Sequence, residues 1–360
     1  MRIADARIVY AAALAATLLA ILLPFAGFAD TASDVAASDV AASDVTASDV
    51  TASDGAMLTD EEASLLTPVP LDPNDPANTR VGALDYLTGY HIQLDKPQFG
   101  GLSDLCVYAD AEAGTRLVAI GDQGIEATIG FTGTPEALGD VAIVALFSLR
   151  SAEGARLLDK ESGDAEALLC DGPLRRIVGF ERQHRLWLYE EGGSVTAIPI
   201  PPAARMLPPN EGIEGIARLA DGNLLLIAEG GGDAQKGPAW IGTGSGAGDW
   251  SPITLLRSEG FVPTGLAALP NGDVLLLERF FTEATGPAAR ISLLRAVEIK
   301  PGAEIRPREI ARIEPPLTVD NFEGIAVAPA ADGGTLVFLL SDDNFNPWQR
   351  TLLLVFRLEL

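Results

Sequence analysis

The residues best suited to chemistry are carboxylates that recur beside short apolar runs. Glu323 opens the run EGIAVAP, and Asp342 and Asp343 close the following run LVFLLSDD. Glu214 and Glu229 flank a similar pair of runs earlier in the chain. Clustered carboxylates repel one another unless a cation lies among them, and oxygen ligands are those that calcium prefers. The pattern therefore predicts a site for calcium or another divalent cation.

The same reasoning extends to every copy of the pattern and to the basic residues beside it. The predicted ligands are the acids that start or end the runs: Glu214, Glu323, Asp342, Asp343, Asp122, Glu229 and Glu278. Arg279 and Arg350 lie beside these motifs, and a guanidinium fork can bind a phosphate group. We predict that both face the phosphate of a small-molecule ester. The alternative is that the acids face water and the arginines are ordinary ion-pair partners.

The overall charge limits the possible partners. The chain of 360 residues has 50 acidic and 25 basic residues, which gives a formal net charge of -25. Nucleic acids and anionic membranes bind basic patches, so the charge argues against both as partners. Diffuse acidity that serves only solubility is the alternative explanation of the charge.

A recurring phrase organises the chain. Three clear copies span Glu214–Glu229, Thr264–Arg279 and Glu323–Asp342, and a looser copy spans Gly101–Asp122. Each contains an apolar run, a turn and a second apolar run that ends near an acid. Asn-Gly and Asp-Gly tolerate the positive φ angles of tight turns, so the phrase predicts a β-hairpin.

The spacing of the copies predicts the architecture. The clear copies begin about fifty residues apart, which is typical of a four-stranded propeller blade. We therefore predict an all-β fold, a β-propeller of five or six blades, with a β-sandwich as the structural alternative. The last strand is expected to pair with the segment around 81–94 and close the ring. Equivalent acids would then meet at one end of the central channel.

Three regions precede or form the domain. Residues 1–29 have basic residues, an apolar run and small residues before Asp30, which predicts a signal peptide cleaved after Ala29. An uncleaved segment would be the only contact with a membrane. Residues 30–80 read as a low-complexity and proline-rich linker, and residues 81–360 as the propeller. The predicted location is periplasmic or secreted.

Cys106 and Cys170 either form a disulfide or are two buried thiols.

Several phrases resemble the phytase-like domain family, described as having esterase-like activity of phytase. They are FGGLSDLCVY, LVAIGDQG, NEGIEGIARLADGNLLLIAE, DNFEGIAVAP and LLSDDNFNPWQRTLLLVFRLEL. The resemblance covers residues 82–360 and implies an exported β-propeller. By analogy with alkaline propeller phytases, it also implies calcium in an acidic channel mouth and hydrolysis of phosphomonoesters. The scarcity of basic residues departs from what a strong phosphate site requires.

Two classes of function follow. The first is a metal-dependent phosphoesterase or related ester hydrolase, expected to act as a monomer. The second is a non-catalytic propeller that binds a partner at the cell envelope. A Ser/His/Asp triad would need His91 or His184, and the Gly-x-Ser-x-Gly elbow of the α/β hydrolases is missing.

Overall fold

The structure is a computed structural model that describes residues 56–57, 65–110, 114–134, 137–243, 249–258 and 260–360. The predicted signal peptide and most of the predicted linker lie outside these residues. Within the described residues, no helix has the length and apolar character needed to cross a membrane. The helical segments described there are one turn of α-helix, α1 (Lys160–Gly163), and three short 3-10 turns at Glu191–Gly193, Ala204–Met206 and Ala296–Glu298.

Nearly all of the regular structure is β-strand. The strands that precede the blades are β1 (Ala56–Met57), β2 (Leu65–Pro68), β3 (Arg80–Val81) and β4 (Leu84–Gln93). Blade 1 contains β5 (Leu102–Asp110), β6 (Gly114–Gly121), β7 (Ile125–Thr134) and β8 (Ala137–Ser148). Blade 2 contains β9 (Ala165–Cys170), β10 (Arg176–Phe180), β11 (Arg185–Tyr189) and β12 (Val195–Ile198). Blade 3 contains β13 (Ile213–Arg218), β14 (Leu224–Ala228), β15 (Lys236–Gly242) and β16 (Ser251–Leu256). Blade 4 contains β17 (Val262–Ala268), β18 (Val274–Thr282), β19 (Gly286–Leu294) and β21 (Arg308–Ile313), with β20 (Glu304–Ile305) joining blade 3. Blade 5 contains β22 (Asn321–Pro329), β23 (Thr335–Asp342) and β24 (Leu352–Leu358).

In the described part of the chain these strands form five sheets, so the protein is a five-bladed β-propeller. The all-β prediction is confirmed, with the lower of the two predicted blade numbers. Blade 5 is completed by β4, which pairs antiparallel with β24 from Leu84↔Leu358 to His91↔Leu352. The ring is therefore closed by strands from both ends of the domain, as predicted.

The apolar runs arise because both faces of a blade are covered. In β14, Leu224 and Leu226 pack between blades 2 and 3, whereas Leu225 and Ile227 pack between blades 3 and 4. Successive strand residues point to opposite faces, so a strand buried on both sides needs a continuous apolar run. The tight turns occur where they were expected, with Gly222 at φ 86° and Gly272 at φ 89°.

Two further features define the fold. Cys106 and Cys170 form a disulfide that joins β5 to β9, with their Cα atoms 5.9 Å apart. Strand β2 pairs with β4, and Leu71 is buried in the core between blades 4 and 5. The packed structure therefore begins before residue 81, because part of the proline-rich segment forms an edge strand of blade 5.

Candidate functional site at the channel mouth

The innermost strand of each blade has a β-bulge at the same position. In every blade one residue of this strand is skipped in the pairing with the second strand. The skipped residues are Ser103, Glu166, Glu214, Thr264 and Glu323. Bulges are frequent beside active sites because they redirect a side chain without ending the sheet. The bulges place a polar residue of each blade at the same end of the channel.

A small residue after the bulge allows adjacent blades to approach. A Cβ atom on Gly265 would lie 2.9 Å from the carbonyl oxygen of Glu323 in the neighbouring blade. Further along the inner strands, apolar side chains such as Leu105, Ile216 and Ile325 line a cavity of about 200 Å³. The wall of this cavity also includes Asp171 and Arg218. We call the bulged end of the channel the mouth.

The second strand of each blade contributes the next layer of the mouth. In each blade, the residue at or near the end of the second strand lies opposite the residue that precedes the inner strand or begins it. In blade 2, Glu181 N donates a hydrogen bond to Asp164 O, and in blade 3, Glu229 N donates one to Gly212 O. The equivalent residues are Asp122, Glu181, Glu229, Arg279 and Asp342. Arg279 therefore occupies the position that the other blades fill with a carboxylate.

The carboxylates come closest together in blade 2. Among the described residues, Asp164, Glu166 and Glu181 each place one carboxylate oxygen within 4.8 Å of the others. We call these three residues the acidic cluster. Asp164 is fully buried, and its Oδ2 accepts a hydrogen bond from Arg182 Nε at 2.6 Å. Its Oδ1 accepts no hydrogen bond from the described residues.

The surroundings of the cluster are strongly negative. Burial raises the pKa of Glu166 well above its usual value, and the nearby charges of Asp164 and Glu181 add to the effect. Burial followed by repulsion from Glu166 and Glu181 raises the pKa of Glu214 in the same direction. Glu181 also has a raised pKa because of its burial, although Gly212 N donates to its Oε1. These carboxylates are therefore in a site that favours an added cation.

Asp122 lies on the blade 1 side of the cluster. Its Oδ2 is 2.5 Å from Lys160 Nζ, which also lies 3.3 Å from Asp164 Oδ1. The Oδ1 atom of Asp122 is buried without a hydrogen-bond partner among the described residues. Asp122 and Asp164 thus flank the same lysine. The atoms here that could bind a metal ion are carboxylate oxygens, so the residues present suit a hard divalent cation such as calcium.

Glu323 and Asp342 hold the blade 5 side of the mouth. Burial raises the pKa of Glu323 to about 7 and that of Asp342 to about 8. Glu323 Oε1 accepts a hydrogen bond from Asn321 Nδ2 at 2.7 Å and lies 3.2 Å from Arg279 Nε. Asp343 follows Asp342 in the chain, but its carboxylate is held by hydrogen bonds. It accepts from Gly101 N, Phe345 N and Thr351 Oγ1, which fixes the loop after β23.

Arg279 and Arg350 line one cavity of about 810 Å³ between blades 4 and 5. Arg279 bridges two acids of the mouth, with Nη2 3.1 Å from Glu229 Oε1 in addition to its contact with Glu323. Arg350 Nε donates to Asp320 Oδ2 at 3.2 Å. The structure therefore brings the two predicted arginines together with Glu323, each already paired with a carboxylate.

Glu278 lies apart from the other predicted ligands. It is fully buried, and its two oxygens accept hydrogen bonds from Arg290 Nε at 2.8 Å and Nη2 at 2.5 Å. Ser292 Oγ donates a third at 3.0 Å. The blade equivalent of Glu229 is Arg279, one residue later than predicted. Because side chains alternate along a strand, this offset turns Glu278 away from the mouth.

The acidic cluster itself was not predicted. Glu166 matches Glu214 and Glu181 matches Glu229 in blade position, so the signal was a fifth copy of the phrase in blade 2. That copy is hard to see because its turn, CDGPLR, is longer than the Asp-Gly and Asn-Gly turns. His184 lies in the turn between β10 and β11 of the same blade, and its Nε2 forms hydrogen bonds with the carbonyl groups of Leu207 and Pro208.

Comparisons with known proteins give a family. A family model named Phytase-like, with the description "Esterase-like activity of phytase", matches residues 97–345. No curated protein matches the chain. A solved structure with a provisional assignment as a gluconolactonase has 13% identity, a TM-score of 0.43 and coverage of 81% of this chain and 92% of its own. A hypothetical protein from Leishmania major has 12% identity, a TM-score of 0.41 and coverage of 79% and 92%.

A third similar structure is a catalytically inactive virginiamycin B lyase from Staphylococcus aureus, solved with quinupristin. It has 13% identity, a TM-score of 0.38 and coverage of 82% of this chain and 99% of its own. All three TM-scores are below 0.5, so no activity or ligand of these proteins is transferred to the chain.

Proposed function

The chain belongs to the phytase-like family, and we propose from this membership that it is a hydrolase of ester bonds. Its main substrates would be phosphomonoesters, and it would hold a divalent cation at the mouth. The observation that carries the proposal is the acidic cluster of Asp164, Glu166 and Glu181, whose oxygens converge within 4.8 Å. None of its three residues is in the wall of the cavity with the two arginines, but Glu166 interacts electrostatically with Arg279 of that wall. An excess of carboxylates beside guanidinium groups suits a cation and an anionic ester together.

The acidic cluster would hold the cation, with Asp122 and Glu214 close by. Calcium is the proposed ion because every donor is a carboxylate oxygen, although other hard divalent cations share this preference. A bound ion of this kind neutralises charge on ester oxygens and lowers the pKa of bound water. Three other predicted acids would then contribute to the electrostatic field at the mouth, namely Glu229, Glu323 and Asp342.

Two arginines would orient the substrate. Arg279 and Arg350 line the same cavity, and a guanidinium fork binds the oxygens of a phosphate or carboxylate with defined geometry. Both are positioned by acids, Arg279 by Glu323 and Arg350 by Asp320. The ion pairs would hold the guanidinium planes in place before the substrate arrives.

Glu323 is the residue we propose as the proton carrier. It lines the cavity, and its pKa of about 7 is suited to proton transfer at neutral pH. With Oε1 fixed by Asn321 and Arg279, the proton would be carried on Oε2. In hydrolysis the oxygen of water would bond to phosphorus while the bond from phosphorus to the alcohol oxygen breaks. Glu323 would give its proton to the leaving alcohol oxygen and regain a proton from the attacking water.

The cellular setting is also part of the proposal. The predicted signal peptide suggests an exported monomer that acts in the periplasm or outside the cell. A non-catalytic propeller that binds a partner at the envelope is the second candidate. It is favoured by the exposed aromatic residues Phe281 and Trp348 at the rim of the cavity.

Hydrolysis by the purified protein tests the proposal. We expect release of phosphate from 4-nitrophenyl phosphate between neutral and alkaline pH, lost in chelator and restored by millimolar calcium. A control reaction uses 4-nitrophenyl acetate. Hydrolysis of the acetate alone would replace the phosphoesterase by a carboxylic ester hydrolase. If neither ester is hydrolysed, the proposed enzymatic activity is contradicted, and the binding propeller remains as the function.

A further inference from the structure

The cavity beside the mouth is amphipathic, and this bears on which esters it can bind. The apolar part of its wall includes Phe280, Phe281, Val319 and Trp348. Phe281 is 66% exposed and Trp348 is 90% exposed, although large aromatic side chains are usually buried in a protein of this size. Phe281 lies in β18 and Trp348 in the loop after β23, and both line this cavity. Exposed aromatic residues that converge on a cavity are typical of a binding site for an apolar group.

The polar part of the wall has a balanced charge. Arg279 lies 3.2 Å from Glu323, and Arg350 lies 3.2 Å from Asp320, all four being residues of the cavity wall. Two guanidinium groups thus face two carboxyl groups. The cavity can offer a fork to one anionic group, but it has no excess of positive charge to neutralise several.

A polyphosphorylated substrate fits this cavity poorly. Inositol hexakisphosphate has six phosphate groups and no apolar surface, and the carboxylates of the mouth would repel it. An ester with one anionic group and one aromatic group uses both parts of the wall. Its anionic group would meet Arg279 and Arg350, and its ring would pack against Phe281 and Trp348.

We infer that the substrates are esters with a single phosphate or carboxylate group joined to an aromatic or similarly flat apolar group, and that inositol polyphosphates are not substrates. The inference rests on the proposed function, since it takes this cavity as the ester site. Phe281 and Trp348 are then the residues that determine specificity.

Binding of stable analogues tests the inference apart from turnover. Phenylphosphonate, methylphosphonate and inositol hexakisphosphate are titrated into the calcium-loaded protein in a calorimeter. Phenylphosphonate is expected to bind at least about tenfold more tightly than methylphosphonate, a factor that corresponds to about 1.4 kcal/mol. The variant F281A/W348A is expected to lose this preference and to remain folded, because both side chains are exposed. Val297→Ala is the matched control, an equally exposed apolar residue outside the cavity wall.

Each outcome decides the matter. Loss of the preference in the double variant, with Val297→Ala unchanged, supports the inference. Binding of inositol hexakisphosphate as tight as that of phenylphosphonate overturns it, and so does equal binding of the two phosphonates. If phenylphosphonate binds as expected but no ester is hydrolysed, the proposed hydrolase fails while the ligand class stands.

Discussion

Glu278 and Glu166 are both partly or fully buried glutamates near the inner end of a blade, but their partners differ. Glu278 has a guanidinium fork from Arg290 and a hydroxyl from Ser292, so its charge is neutralised within the blade. Glu166 lies among Asp164, Glu181 and Glu214, which are all acids. Removing one partner of a buried ion pair destabilises the fold, whereas a group of like charges favours a cation from outside. The difference separates a structural carboxylate from the one that we propose to bind a cation.

The largest effect is expected from Glu278→Gln. The substitution leaves Arg290 buried without a counter-charge, and breaking a buried pair in this way costs about 3–5 kcal/mol. Urea unfolding should show this loss of unfolding free energy in calcium and in chelator alike. The rise in melting temperature on adding calcium should remain that of the wild type. A smaller calcium effect would place Glu278 in the cation site after all.

Glu166→Gln is the matched substitution and should act in the opposite direction. Without metal, and at a pH high enough to ionise Glu166, the neutral amide relieves repulsion from Asp164 and Glu181, so the metal-free variant should unfold there at a higher temperature than the metal-free wild type. Stabilisation by calcium should disappear, a loss of about 2.7 kcal/mol at a calcium concentration of 100 times Kd. Thermal unfolding with and without chelator measures both. A variant that calcium still stabilises as fully as the wild type would remove Glu166 from the site.

The fold was more predictable than the site. The repeated hairpins, the turns at Gly222 and Gly272 and the pairing of β4 with β24 follow from local sequence patterns and from the need to close the ring. The bulges at Glu214 and Glu323 could not be predicted, because a skipped residue leaves no mark in an apolar pattern. The misplacement of Glu278 has the same origin, since a one-residue offset reverses the face on which a side chain lies.

Lys160→Met should have a smaller effect that sharpens the comparison. Lys160 Nζ lies near Asp122 and Asp164, so it already places a positive charge beside the acidic cluster. Removing this partly exposed charge should tighten calcium binding by roughly 1 kcal/mol, about fivefold, which is the interaction energy of two unit charges about 4 Å apart in water. The control is Lys236→Met, which removes a lysine paired with Glu304 on the surface. Unchanged or weaker calcium binding by Lys160→Met would show that Lys160 does not compete for this site.

The most direct test is a calorimetric titration of the metal-free wild type with calcium at pH 7, repeated in two buffers with different heats of ionisation. We predict saturable binding accompanied by proton release, because Glu166 and Glu214, whose pKa values are raised, must lose protons as the ion binds. The heat should therefore depend on the buffer, and Glu166→Gln should abolish the binding. Absence of saturable binding to the wild type, or binding that Glu166→Gln leaves intact, would contradict a cation site at the mouth.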